Sequence, residues 1–442
     1  MRPTDERELG AVVMAAGLGT RMRSETPKYL HTLLGRRMVD WVLEIAREVE
    51  ADPLVVVTAP STAGAFAGVE VAVQQQPLGT GDAVRSAREA LDGRARDVLV
   101  LSGDTPLLTP TLLRKLVETH RRAEAWATVL SFEPDDTREY GRVLRNGDGG
   151  LAGIVEARDA TPEQLAIREV NSSIYVFRAD RLWPVLDRLT PQNDQGELYL
   201  TDTVSLLAEE GGPVAVHKGG DPMETEGVNT RAELAAAAAA LRERVNHEHM
   251  LAGVTIVDPG STWIEADVTI EPDAVIHPFT VVRGASHVGG GAEIGPHAVV
   301  VDSTIGAHAL VGPFCYLRPG TVLEAGAKAG TFVEIKNSRI GERTKVPHLS
   351  YLGDTDVGAD TNIAAGNISV NQDHETRQKQ RTVIGSNVRT GVDNAFVAPV
   401  TIGDDAWIAA GSVITEDVPP NALAIARARQ VTKEGRGGKR ND

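Results

Sequence analysis

The chain has 442 residues, a formal net charge of −16, 42% hydrophobic and 24% charged residues. That length suggests about three domains, and the ordinary composition excludes global disorder. The negative balance argues against nucleic acid or an anionic membrane as the main partner, while a local basic pocket can still take an anionic small molecule. The only cysteine, Cys315, excludes an internal disulfide and a multi-cysteine zinc site; a core position is expected for it.

Residues 1–10 are polar and charged and carry no apolar core of a secretory signal. No apolar run approaches the ~18 residues of a membrane span. A soluble cytoplasmic protein is the expectation.

Residues 11–16 (AVVMAA) form a short apolar run ending in glycines. Met38, Trp41, Val42, Ile45, Ala46 and Val49 recur at helical spacing. LVVVT at 54–58 reads as a second buried strand, 81–91 as a helix and 98–101 as a further apolar strand. Buried strands separated by helices predict an α/β fold on a parallel sheet. Ligands of such sheets sit beyond the carboxyl ends of the strands. Residues 230–251, with the alanines 235–240 followed by Leu241, Val245 and Met250, predict one long connecting helix.

From Val254 the period changes. Ile270, Ile276, Val282, Val288, Ile294 and Val300 recur every sixth residue. After a five-residue step the series resumes at Ile305, Val311, Leu317 and Leu323, and later at Phe396, Ile402, Ile408 and Ile414. A hexad repeat predicts a parallel β-helix, each hexad giving one flat strand and one inward aliphatic. Residues 371–382 (NQDHETRQKQRT) break the period and are expected to leave the coils as a loop.

Several polar residues sit where chemistry is expected. AAGLGTRM follows the first strand. It lacks the endings of a P-loop and of a dinucleotide fingerprint, yet its glycines let backbone N–H groups approach an anion. Arg21 and Lys28 would add positive charge for phosphate oxygens. Gln74 and Gly79-Thr80-Gly81 open a helix in QQQPLGTGDA. Asp104, in SGDTPLL after the 98–101 strand, suits Mg²⁺, which takes few protein ligands and keeps phosphates and waters. Each motif alone also fits an ordinary turn or cap; their joint order carries the signal.

That order resembles the bifunctional N-acetylglucosamine-1-phosphate uridyltransferase/glucosamine-1-phosphate acetyltransferase family. In the first half it is carried by AAGLGTRM, TPKYLH, QQQPLGTG, SGDTPLL, YGRV, VEARDA, NDQGELYLTD and GVNT. In the second half it is carried by GPFCYLRPG, FVEIKN, HLSYLGD, FVAPVTIG and ALAIAR. The resemblance implies a Rossmann-like nucleotidyltransferase domain over 1–229, a linker helix over 230–251 and a left-handed parallel β-helix over 252–442. It further implies Mg²⁺ and acetyl-CoA, small-molecule substrates and a homotrimer.

Carried over residue by residue, Ala16, Gly17, Gln74, Gly79 and Thr80 hold the uridine. Arg21 and Lys28 are the catalytic cations on the phosphates, and Asp104 and Asn229 hold Mg²⁺. Gly141, Glu156, Asn171 and Thr80 read the N-acetyl sugar. In the second half His348 is the catalytic base, since an amine nucleophile needs one near neutral pH. Arg318 and Lys336 grip the sugar phosphate, Tyr351 and Asn362 touch the sugar, and Ala365 and Arg427 touch acetyl-CoA. The sequence departs from the pattern at Ser173, where the family has glycine, and at Gln372 and Val392, where it has tyrosine and serine. The loop from His374 to Gln380 reads about two residues longer than in the family, and the β-helix reads about one coil short between Val301 and Ile305. An alternative stays open at this point: nucleotidyl transfer only, with the β-helix a trimerisation module or acting on another sugar.

Overall fold

A computed structural model describes residues 7–17, 19–137, 139–147, 149–193 and 195–436. Residues 1–6, Leu18 and Asp194, the last two inside quoted motifs, lie outside the described residues. The chain divides into two units, Met1–Leu241 and Arg242–Asp442.

In the first unit the opening apolar run becomes strand β1 (Arg7–Ala15). β2 (Leu54–Thr58), β3 (Glu70–Val73) and β4 (Ala95–Ser102) join it in parallel, in the order β4-β1-β2-β3. Consecutive residues of these strands face opposite ways. Val12, Val55, Val57, Val98 and Val100 enter one core cluster. Ala11, Val13, Val56, Leu99 and Leu101 enter the other. Helix α1 (Met38–Glu48) buries Val42, Leu43 and Ile45 on the second face, and α2 (Thr80–Ser86) buries Ala83 and Val84 on the first. Continuous apolar strands are therefore buried on both faces, as the sequence predicts.

The sheet is mixed, a correction to the all-parallel expectation. β5 (Ala127–Phe132) is followed by the hairpin β6 (Arg142–Arg145) and β7 (Leu151–Val155). β8 (Val170–Arg178) then runs antiparallel between β4 and β5, and β9 (Val214–Lys218) pairs parallel with β5. The hairpin keeps the chain at the carboxyl end of β5, so Val170 pairs with Phe132 and the strand has to run back. The helix expected over 81–91 is two short helices, Thr80–Ser86 and Arg88–Leu91, interrupted at Ala87.

The connecting helix, α3, covers Arg231–Leu251. Ala237 and Leu241 are buried in its first half, and in its second half Asn246 donates to the Pro259 and Thr262 carbonyls.

The second unit is a left-handed parallel β-helix. Three sheets of six, nine and eight short parallel strands form its faces, and a three-stranded sheet continues the first of them through bridges at Asn362. The hexad aliphatics stack inward: Val282 pairs with Val300, Val300 with Leu317 and Leu317 with Ile335, all fully buried. Cys315 is in this core, where burial pushes its thiol up to about 12. Between Val301 and Ile305 Asp302 turns the corner at φ 43°, and the sheets continue unbroken. Buried hydroxyls serve the corners: Ser338 Oγ donates to the Lys336 carbonyl at 2.7 Å and accepts from Thr355 N at 2.9 Å. Another corner stacks Phe279, His297, Phe314 and Phe332 with ring centroids 4.8–5.3 Å apart.

Candidate functional sites

Motifs far apart in the chain meet beyond the carboxyl ends of β1, β2 and β4. A cavity of about 410 Å³ is lined by Ala16, Gly17, Lys28, Gln74, Gly79, Thr80 and Asp104 of the sequence-selected set. A second, of about 200 Å³, is lined by Arg21, Asp104 and Asn229, together with Tyr140 and Ser173. A larger groove of about 930 Å³ at the amino end of β1 contains none of these residues. Its Arg121 pairs with Glu8 and its Arg114 donates to the Glu48 carbonyl.

The turn after β1 is tied to its neighbours. Thr58, at the end of β2, donates from Oγ1 to the Ala15 carbonyl at 3.1 Å, and Tyr29 Oη lies 3.3 Å from Thr58 Oγ1. Tyr29 follows Lys28, so this buried network sets the Lys28 turn against the glycine-rich turn. Gly79 adopts φ 114°, and a Cβ there would lie 2.6 Å from the Leu198 carbonyl oxygen. Only glycine lets Leu198 close on the turn, and Gly81 N seals the contact by donating to the Leu198 carbonyl at 2.8 Å.

Lys28 Nζ forms an ion pair with Asp104 and donates to Asn229 Oδ1 at 2.9 Å; Arg21 Nη2 donates to the same Oδ1 at 3.1 Å. Val228 N donates to the Asp104 carbonyl, which docks the 227–229 segment on β4's turn. Burial works against ionisation of Asp104, but the Lys28 ammonium and the Ser102 hydroxyl outweigh it and hold the carboxyl below its usual range. No group of three or more His, Cys, Asp or Glu side chains gathers as a metal cluster among the described residues. One carboxylate and one amide oxygen converging on a cation still fit Mg²⁺, which fills its shell with phosphates and waters.

Gly141, Glu156 and Asn171 form a group of their own. Asn171 N donates to the Gly141 carbonyl at 2.8 Å, and a Cβ on Gly141 would lie 3.4 Å from Glu156 Oε2. Thr201 donates to Glu156 Oε1 at 3.0 Å, and Thr80 Oγ1 accepts from the adjoining Leu200 N at 3.0 Å. Thr80 thus links this group to the larger cavity. Burial raises the Glu156 carboxyl, and Asp202, Asp159 and Glu197 add to the rise against the Thr201 hydrogen bond.

In the β-helix, Lys336 is directly in register with Gly353, and Arg318 stands one coil before it. Arg318 donates to Glu334 Oε1 at 2.8 Å and lies over the Tyr316 ring. Tyr351 folds over Gly353, where a Cβ would meet Tyr351 Oη at 2.3 Å and Asn371 Nδ2 at 2.6 Å. His348 is exposed at the end of the Lys345–His348 strand, with its ring free of hydrogen bonds to the described residues. Asn362 pairs with Lys345 and Arg389, and the Ala365 carbonyl accepts from Asp393 N. Arg427 is exposed near Gly411. No described hydrogen bond joins His348 to Arg318, Lys336 or Arg427. Gln372 accepts from Lys379 Nζ at 3.2 Å across a bridge that closes the 371–382 loop, and Val392 is exposed.

Three carboxylates that the sequence analysis passes over support these groups. Asp82 holds Gln74 (Nε2 to Oδ2, 3.0 Å). Glu233 Oε2 accepts from Asn229 N at 2.7 Å and Thr230 N at 3.0 Å. Asp354 accepts from Asn337 and Asn371. Only Glu233 had a local signal, the Thr-x-x-Glu capping box at 230–233.

Residues 11–204 match the MobA-like NTP transferase domain. The chain is 47% identical to "Bifunctional protein GlmU" of Mycolicibacterium vanbaalenii, over 97% of this chain and 92% of that protein. It is 47% identical to proteins of the same name from Mycobacterium bovis (96% and 91% covered) and Streptomyces coelicolor (97% and 94%).

Proposed function

Because the chain belongs to the GlmU family of bifunctional proteins, we propose that it makes UDP-N-acetylglucosamine through two transferase reactions, one in each unit. In the first, a phosphate oxygen of N-acetylglucosamine-1-phosphate attacks the α-phosphorus of UTP, the bond to the β-phosphate bridging oxygen breaks, and pyrophosphate leaves. Such transfers are accelerated mainly by alignment and charge neutralisation. Ala16, Gly17, Gln74, Gly79 and Thr80 hold the uridine, Arg21 and Lys28 neutralise the phosphates, and Gly141, Glu156 and Asn171 orient the sugar. Asp104 and Asn229 would hold Mg²⁺, which supplies further charge neutralisation when bound. The observation that carries this reading is the convergence of Lys28, Asp104 and Asn229, with Asp104 lining both cavities. Pyrophosphate release from UTP and the sugar phosphate tests it: Asp104→Ala should abolish release, and undiminished release would remove Asp104 from the site.

In the second reaction the amine of glucosamine-1-phosphate attacks the thioester carbonyl of acetyl-CoA. The C–S bond breaks, His348 takes the amine proton and the coenzyme leaves as its thiol. Arg318 and Lys336 bind the sugar phosphate, Tyr351 and Asn362 the sugar, and Ala365 and Arg427 the acetyl donor. Thiol release tests it, with loss expected in His348→Ala. The alternative, an assembly module without acetyl transfer, is favoured by the engaged Gln372 and the exposed Val392 in place of tyrosine and serine; wild-type protein that releases pyrophosphate but no thiol would select it. The reading includes a cytoplasmic homotrimer divided at 1–229, 230–251 and 252–442. No helix among the described residues is long and apolar enough to cross a membrane.

A further inference from the structure

Gln74 is 6% exposed, and its side chain is held in one orientation. Its Nε2 lies 3.0 Å from the Gly79 carbonyl oxygen and 3.0 Å from Asp82 Oδ2. Asp82 is itself buried, and its second oxygen accepts from Arg85 Nη2 at 2.6 Å. A carboxamide donates only from nitrogen and accepts only on oxygen. The end of Gln74 that faces a carbonyl and an ionised carboxylate is therefore the NH₂ end. Flipping it would set the Gln74 oxygen against two acceptors in a buried place, and such unpaired polar contacts are costly. With the nitrogen committed, Oε1 is the polar atom that Gln74 has left for the cavity it lines.

We propose that Asp82 is a positioning residue that sets nucleobase selectivity: by fixing the Gln74 amide it presents an acceptor, which matches the N3–H of uracil and opposes the N3 lone pair of cytosine. The inference rests on the nucleotidyl-transfer reading of this cavity and adds the selection of one pyrimidine over another. Discrimination of this kind is strong because the wrong base leaves a buried polar group unpaired. Asp82 touches neither base nor phosphate; it acts through Gln74.

The test compares kcat/KM for UTP and CTP, and the calorimetric dissociation constants of UDP and CDP, in wild type, Asp82→Ala and Asp82→Asn. Asp82→Ala frees the Gln74 amide to turn, so the UTP/CTP ratio should fall about tenfold, losing on UTP and gaining on CTP, with the UDP/CDP ratio following. Asp82→Asn still offers Oδ1 to Gln74 while the half-exposed Arg85 swings away, so it should keep the ratio within about threefold of wild type. If Asp82→Ala melts below the assay temperature, Asp82→Leu removes the acceptor without leaving a void. A wild type that prefers UTP and a folded variant with the same preference would overturn the proposal. A wild type that turns over neither nucleotide would overturn the nucleotidyl-transfer reading instead, and the UDP/CDP ratio would then decide Asp82 by itself.

Discussion

Lys28 and Asp104 form a largely buried ion pair across 76 residues of chain, and Asn229 accepts from the same ammonium. Removing the cation leaves a carboxylate facing a polar cavity with its main partner gone. Lys28→Met should cut pyrophosphate release by at least about 100-fold, as loss of a preorganised charge does, and leave thiol release unchanged in the same preparation. The pair also has a pH signature. A carboxylate held below its unfolded value contributes stability above that value and loses it as pH falls through the folded one. Thermal melts of the wild type should therefore weaken below about pH 4. In Lys28→Met burial is no longer opposed by the ammonium, so the Asp104 share of this acid-induced loss should disappear, and an acid limb identical to that of the wild type would contradict this account.

Glu156 has the opposite sign. Its carboxyl is raised by burial and by neighbouring acids, so the folded state holds its proton to higher pH than the unfolded chain does. Its ionisation costs stability as pH rises through that window. Glu156→Gln should raise the melting midpoint at pH 7 by about 2 °C and weaken sugar-phosphate binding, seen as a higher KM for that substrate. A lower midpoint would show that the Thr201 hydrogen bond outweighs desolvation.

Ser173 stands at φ 62° in the bulge of β8 between Asn171 and Tyr175. A non-glycine residue in this left-handed region costs about 1–2 kcal/mol. Ser173→Gly should gain about 1 kcal/mol after the entropic cost of glycine, or about 2–4 °C. Differential scanning calorimetry reads this directly.

Asp354, 6% exposed, takes Asn337 Nδ2 and Asn371 Nδ2 at 2.5 Å each, one on each oxygen. Asp354→Ala strips both amides of their acceptor, one of them buried. It should cost about 3 kcal/mol, lower the β-helix midpoint by about 6–12 °C and reduce thiol release. Pyrophosphate release at 25 °C should stay at the wild-type rate, which separates this effect from general unfolding.

Much of the architecture was legible because hydrophobic periods are local. The alternation of Ala11, Val12 and Val13 between two cores, and the hexads from Ile270 onward, can be counted without knowing what lies opposite. The direction of β8 was not legible: an apolar strand reads the same whichever way it runs, and the β6–β7 hairpin decided it. The interruption at Ala87 escaped for a related reason, since alanine inside a helical pattern carries no stop signal.

The same division holds for the chemistry. Local pattern established which residue types the chain brings to its sites: glycine-rich turns, Arg21, Lys28, Asp104 and a histidine in a β-helix corner. It also established two architectures, because apolar spacing along the chain dictates which face each element buries. Tertiary structure alone decided which polar groups meet. Asn229 reaches Lys28 across 201 residues, Asp82 fixes one orientation of Gln74, and Asp354 joins amides from neighbouring coils. A hydrogen bond depends on two groups arriving at one place with matched donor and acceptor geometry, and no spacing within a single stretch of sequence encodes that arrival.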